Sequence, residues 1–109
     1  MGLCYKCGMS AYVIANIDVQ DPVRYADYIE LTPGTIAPFG GRFIARGGRA
    51  ERLEGEVAVH RIVVLEFPSY AQAKAWYDSD GYRVARAIRQ SVSTGSLILV
   101  DGIEAQGVA

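Results

Sequence analysis

The chain has 109 residues, of which half are hydrophobic and 21% are charged, a composition typical of one soluble globular domain. Its formal net charge is −1, so it has no excess of positive charge with which to bind nucleic acid or an anionic membrane. No apolar run approaches the roughly 20 residues of a membrane-spanning helix, and the N-terminus lacks the apolar stretch of a secretory signal. We therefore expect a single-domain cytoplasmic protein.

Cys4 and Cys7 form a C-x-x-C motif ahead of the first predicted element. A tetrahedral zinc site needs two further ligands, and His60 is the one histidine of the sequence, so a single chain cannot complete such a site. A redox motif of this type normally begins a helix that follows a strand. We expect residues 1–9 to be an inert tail, with Met9 as the functional start, and we predict neither a metal nor a cofactor.

The first half of the chain is predicted to contain two strands and one helix. Their ranges, in order, are a strand at Ala11–Val19, a helix from Asp21 to about Gly41, a strand at Arg42–Arg46 and a connecting loop or ribbon at Arg49–Glu56. Asp21 and Pro22 supply a helix N-cap and a proline at the first helical position. Because Pro33-Gly34 interrupts the helical pattern, we predict a kinked or restarted helix.

The second half is predicted to contain two strands and a helix in two pieces. Their ranges are a strand at Val59–Phe67, a helix from Ser69 to Asp78, a helical piece from Tyr82 to about Gln90, a polar linker at Ser91–Ser96 and a strand at Leu97–Val100. The order β-α-β-β-α-β predicts an α+β, ferredoxin-like domain over residues 10–104, followed by a tail at residues 105–109. We expect a four-stranded antiparallel sheet with both helices on one face and the first and third strands at its centre.

Strand three is apolar on both faces. One face carries Val59, Arg61, Val63, Leu65 and Phe67, and the other carries His60, Ile62, Val64 and Glu66. A sheet covered by helices on one side should be polar on its other side, so we predict that a second copy covers the open face in a two-fold symmetric homodimer. The alternative is a monomer in which the C-terminal tail covers the sheet.

Arg61 and Glu66 lie five residues apart and therefore face opposite sides of their strand. For Glu66 the sequence leaves open an ion pair with Arg42 or Arg46, or an acid–base group with a raised pKa at a cavity mouth. For Arg46, beside Gly47-Gly48, it leaves open an anion clamp or a salt bridge to Glu54 or Glu66. The aromatic residues of the helices are expected in the core or an interface, with a subset lining a pocket.

The chain also resembles the small bacterial proteins grouped as domain of unknown function 1330. The matching segments are Tyr12–Tyr28, Ala37–Gly48, Leu53–Gly55, Arg61–Ser69, Ala75–Tyr82 and Arg89. The resemblance implies a dimeric α+β barrel and does not specify a reaction. Related barrels of this shape include cofactor-independent monooxygenases, lactone isomerases and haem-dependent enzymes. The haem-dependent enzymes need an axial histidine, for which His60 on a central strand is a poor candidate.

We therefore hypothesise a homodimeric small-molecule-binding protein or a cofactor-independent, monooxygenase- or isomerase-like enzyme, with its site between helices and sheet. The ligand would be a small organic compound of anionic or aromatic character. The candidate ligand-binding residues are Tyr28, Arg46, Arg61, Trp76, Tyr77, Tyr82 and Arg89. Glu66 is the candidate catalytic residue, predicted to share the cleft with the Trp76 helix. The alternative is a non-catalytic dimerisation or regulatory module with structural Arg–Glu pairs.

Overall fold

The computed structural model describes residues 10–103, and the predictions for residues 1–9 and 104–109 lie outside the described residues. The elements are β1 (Ala11–Val19), α1 (Pro22–Ile36), β2 (Arg42–Arg46), β3 (Arg61–Phe67), α2 (Tyr70–Tyr77), α3 (Asp80–Val92) and β4 (Ser93–Asp101). The strands pair antiparallel in the order β2-β3-β1-β4. The predicted ferredoxin-like α+β fold, with the first and third strands at the centre, is confirmed.

Helix α1 begins as its sequence predicts but does not break at its internal proline. The Asp21 carboxylate accepts a hydrogen bond from the Arg24 amide at 3.2 Å, and Pro22 occupies the first turn. The helix continues through Pro33 to Ile36 and ends in a 3₁₀ turn, after which Gly40 takes a left-handed conformation at φ 76°. The predicted restart is therefore wrong, because one continuous helix includes Pro33.

The polar linker predicted at Ser91–Ser96 is wrong. Helix α3 continues to Val92 and β4 begins at the next residue, so that β4 pairs with β1 along nine positions. The Val92 carbonyl accepts hydrogen bonds from the amides of Gln20 and Asp21, which ties the junction to the end of β1. Backbone pairing thus determines the structure of this polar segment, which its composition alone describes as a loop.

The hydrophobic core lies between the sheet and the helices and is centred on Trp76, which is 1% exposed. The indole ring lies 5.3 Å from the Phe67 ring and 4.1 Å from the Tyr82 ring, measured between centroids. Its Nε1 donates a hydrogen bond to the Thr35 hydroxyl at 3.0 Å. These contacts hold α1, α2 and α3 at fixed positions over the sheet, which fixes the walls of the cleft described below.

The opposite face of the sheet carries apolar side chains that no helix covers. Ile14, Ile98 and Val100 are 38%, 58% and 43% exposed, and they occupy adjacent strands, with Ile14 directly opposite Ile98. The two-sided apolar pattern of the sequence is therefore present in the folded chain. Among the helices of residues 10–103, none is both long and apolar enough to cross a membrane.

Candidate functional site

A narrow cleft lies between helices α1 and α3 and the sheet. It encloses about 460 Å³ of empty space when the open mouth is included, and most of that space lies towards the mouth. Its floor is aliphatic, and its polar and aromatic wall comprises Tyr25, Tyr28, Thr32, Phe43, Arg46, Arg61, Trp76 and Arg89. The cleft is therefore a narrow slot with little free space, and an organic ligand needs the rim side chains to move.

Phe43 and Arg46 both face the cleft because β2 contains an irregularity. Phe43 pairs with Leu65 and Arg46 pairs with Val63, and the register shifts between Phe43 and Ala45. Three residues apart, the two side chains would lie on opposite faces of a regular strand. The bulge thus brings an aromatic ring and a guanidinium to the same edge of the slot.

Arg46 is held at the rim by helix α1. Its Nη2 donates a hydrogen bond to the Ile29 carbonyl at 2.9 Å, and its Cζ lies 4.1 Å from the centroid of Phe43. Ile29 is four residues before Pro33, which has no amide hydrogen, so this carbonyl lacks its helical donor and Arg46 takes that place. In the described part of the chain, Arg46 makes no salt bridge with Glu54 or Glu66, so that predicted alternative is wrong.

Arg61 lies inside the cleft on the helix-facing side of β3, where it pairs with Ile17 of β1. Its Nε is buried and has no hydrogen-bond partner among residues 10–103. The guanidinium lies against Gly47, which adopts φ 74° and leaves no room for a Cβ beside the Arg61 Nη1. Burial raises the pKa of the Tyr25 hydroxyl nearby, and the positive charge of Arg61 partly offsets that rise.

Three residues of α1 and α3 form a second polar group at the cleft. The hydroxyls of Tyr28 and Tyr82 are 2.7 Å apart, and the Arg89 Nε donates to the Tyr82 hydroxyl at 3.4 Å. Burial, followed by the Tyr82 neighbour, raises the pKa of Tyr28, which keeps its hydroxyl protonated at physiological pH. Burial disfavours the charge of Arg89, but the neighbouring Tyr82, Tyr28 and Tyr77 together outweigh burial, and the pKa of Arg89 is raised.

Glu66 does not lie in the cleft, and the prediction that it shares the cleft with the Trp76 helix is wrong. The register of β3 on β1 places it opposite Tyr12 on the open face. Its carboxylate accepts hydrogen bonds from the Arg42 Nε at 2.8 Å and the Tyr12 hydroxyl at 3.4 Å. Burial pushes the pKa of Glu66 upward, but the hydrogen bond from Arg42 and its other contacts outweigh burial, and the pKa is lowered. The ion-pair interpretation with Arg42 is confirmed.

The remaining predicted site residues divide between the cleft and its surroundings. Of the predicted ligand-binding residues, five line the cleft, namely Tyr28, Arg46, Arg61, Trp76 and Arg89. Tyr82 is fully buried one layer behind Tyr28, and Tyr77 lines a separate groove between α2 and β4. The predicted set omitted Tyr25, Thr32 and Phe43. Helical spacing with Tyr28 could have found Tyr25, which lies three residues before it.

Glu66→Gln is expected to weaken the acid dependence of folding stability without affecting the cleft. A lowered carboxylate pKa stabilises the folded state above the ordinary value of 4.5, and this contribution disappears as the pH falls through the lowered pKa. Since Arg42 is largely exposed, we expect a contribution of about 0.5–1 kcal/mol. Urea unfolding at several acidic and neutral pH values measures it, and Arg42→Met should remove the same increment. Parallel stability curves for wild type and Glu66→Gln would contradict the assignment.

The sequence matches the model of one protein family, described as Domain of unknown function (DUF1330), over residues 10–103. The chain belongs to this family. The match covers every element of the sheet and all three helices, so the residues of the cleft are part of the family domain. A search of the curated proteins finds no match.

Solved structures share the fold at low sequence identity. The RPA0582 protein of unknown function from Rhodopseudomonas palustris has a TM-score of 0.73 at 17% identity, with 88% of this chain and 84% of that chain covered. SnoaB, a cofactor-independent oxygenase from Streptomyces nogalater, has a TM-score of 0.61 at 12% identity, with 93% of this chain and 100% of that chain covered. At such low sequence identity, the structural similarity to these two proteins establishes that this chain has the α+β fold and nothing further.

Proposed function

We propose that this protein binds a small organic anion with a flat apolar body in the cleft between its helices and sheet. The observation that carries the proposal is the buried Nε of Arg61, which lacks a hydrogen-bond partner in the described part of the chain. A buried, unpaired donor on a cation costs free energy. A carboxylate or another oxyanion of the ligand would provide the missing acceptor.

The charges around the cleft support an anionic ligand. Arg46 and Arg89 border the same space as Arg61, and no Asp or Glu lines it among residues 10–103. Three guanidinium groups without a carboxylate leave a positive potential, which the low-dielectric walls concentrate. The rings of Phe43 and Trp76 would pack against a flat apolar body.

A second candidate function is cofactor-independent catalysis in the same cleft, the type of activity named for the structurally similar SnoaB. A guanidinium and a protonated tyrosine hydroxyl, here Arg61 and Tyr28, can stabilise negative charge that develops on a substrate oxygen. The described lining contains no carboxylate or histidine to remove a proton, since Glu66 lies across the sheet. Binding is therefore the function that the geometry supports more directly.

The alternative of a non-catalytic module with structural Arg–Glu pairs accounts for part of the molecule. The pair of Arg42 and Glu66 fits that interpretation. Arg46, Arg61 and Arg89 do not, because none of them forms a salt bridge within the described ranges. The anion-binding proposal explains these three residues together.

The proposal is tested by a thermal-shift titration with benzoate and with benzamide, a neutral analogue of the same shape. Benzoate is expected to raise the midpoint of unfolding in a concentration-dependent manner, since it binds the folded state. Trp76 is the one tryptophan of the sequence and lines the cleft, so its fluorescence should change in the same titration. Equal effects of the acid and the amide, or no effect of either, would contradict the proposal.

We further propose that two copies form a homodimer through the open faces of their sheets. Ile14, Ile98 and Val100 form an exposed apolar patch on a face that no helix of residues 10–103 covers. Patches of this kind on soluble proteins mark interaction surfaces, and an identical patch on a second copy is self-complementary about a two-fold axis.

A further inference from the structure

The direction of one hydrogen-bond chain beside the cleft can be deduced from its chemistry. Arginine nitrogens are donors and never acceptors, so the Arg89 Nε donates to the Tyr82 hydroxyl. Tyr82 is fully buried, and its hydroxyl has one other partner among the described residues, the Tyr28 hydroxyl at 2.7 Å.

The hydrogen bond between the hydroxyls of Tyr28 and Tyr82 can have either of two directions. If Tyr28 donated to Tyr82, the proton of Tyr82 would be buried without an acceptor in the described structure, which costs free energy. If Tyr82 donates to Tyr28, its hydroxyl is satisfied both as acceptor and as donor. The second arrangement is therefore favoured, and it frees the Tyr28 proton from Tyr82 in a residue that lines the cleft beside Thr32.

We infer that Arg89 and Tyr82 act as positioning residues that present the Tyr28 hydroxyl as a hydrogen-bond donor to a ligand oxygen in the cleft. The inference rests on the proposed function and deepens it. With Arg61 as the partner of the ligand's anionic group, Tyr28 selects a second acceptor on the same molecule. The ligand class is an organic acid that also carries a carbonyl or similar oxygen.

The high pKa of Tyr28 agrees with this role. Burial raises it, so the hydroxyl remains a neutral donor at physiological pH instead of becoming a phenolate that would repel an anion. The donor sits on α1 and its supports sit on α3, so the chain also links the two helices that form the upper wall of the cleft.

The test compares two acids of nearly equal shape, para-acetylbenzoate, which has a carbonyl acceptor, and para-isopropylbenzoate, which has none. The meta isomers are included so that the acceptor is presented at two positions. Wild-type protein should bind the better acetyl isomer about tenfold more tightly than its isopropyl partner, the effect of one hydrogen bond. Binding is followed by the fluorescence of Trp76 and by calorimetry.

Tyr28→Phe should remove this preference, because it weakens the binding of the acetyl acid about tenfold more than that of the isopropyl acid. Tyr82→Phe should reduce the preference severalfold, and the double variant should match Tyr28→Phe, because a relay through Tyr28 has no effect once Tyr28 is gone. Independent, additive losses, or equal losses for both acids, would overturn the inference while leaving the proposed function intact. Wild-type protein that binds none of the acids would overturn the proposed function and the inference with it.

Discussion

Arg61→Met is expected to lower the affinity for benzoate about 30- to 100-fold, which corresponds to the loss of a charged hydrogen-bond donor. The same change should leave the free energy of unfolding equal to that of wild type or raise it by about 1 kcal/mol. Methionine has no donor to bury, whereas the Arg61 Nε is buried without a partner in the described chain. Arg61→Met is thus expected to weaken benzoate binding without lowering the free energy of unfolding.

The matched control for this experiment is Arg86→Met. Arg86 is also partly buried and lies over an aromatic ring, with its Cζ 4.8 Å from the centroid of Tyr77, but it is outside the cleft. It donates to the Tyr77 carbonyl at 3.3 Å, so its loss should reduce stability slightly and leave benzoate affinity unchanged. Calorimetric titration and urea unfolding measure both quantities. If Arg61→Met unfolds much more readily than wild type, Arg61 is a structural residue.

Ile98→Lys is expected to convert the proposed homodimer into monomers. Ile98 is 58% exposed in the single chain, so the substitution should not disturb the fold, but it would place two ammonium groups in one two-fold interface. We expect the dimer dissociation constant to rise about 100-fold or more. Val84, 62% exposed on α3, provides the control substitution Val84→Lys, which should leave the dimer intact.

Sedimentation equilibrium measures the outcome directly. Wild type and Val84→Lys should sediment with twice the 11.8 kDa mass of the chain, and Ile98→Lys with that mass. A wild-type protein that stays at 11.8 kDa at high micromolar concentration would overturn the dimer proposal. It would leave the anion-binding proposal standing, because Arg61, Arg46 and Arg89 already meet at the cleft within a single chain.

The fold could be predicted from sequence because its elements are marked by strong local patterns. The odd positions of Ala11–Val19 are all apolar, and the N-caps Asp21 and Ser69 precede their helices as predicted. Local sequence patterns fail to predict an element where backbone pairing between strands determines the structure. Ser93–Ser96 has the composition of a loop, yet it lies in β4 because β1 offers it a continuous partner.

The candidate site could be predicted in part. Strand alternation separated Arg61 from Glu66, but it did not say which of them faces the helices. The answer depends on the register of β3 against β1, which places Phe67 opposite Ala11 in the core and Arg61 in the same row. The face of β3 that carries Glu66 has no large aromatic residue comparable to Phe67. This difference in the sequence would have favoured Arg61 as the residue that faces the helices.

Other features of the cleft have no signal in the sequence pattern. The irregularity in β2 reverses the alternation after Phe43, so Arg46 faces the cleft where a regular strand would turn it away from Phe43. The contact between Arg46 and the Ile29 carbonyl depends on Pro33, which local reasoning reads as a helix breaker. Both features depend on contacts between separate elements, namely β2 with β3 and β2 with α1.

The central claim is that the cleft binds an anion through Arg61, whose Nε is buried, and a crystal structure with bound para-acetylbenzoate tests it most directly. The predicted result is a carboxylate oxygen within hydrogen-bond distance of the Arg61 Nε, with the ring beside Trp76 and Phe43. A carboxylate bound elsewhere, such as in the groove beside Tyr77, with the Arg61 Nε still unpaired, would contradict the claim.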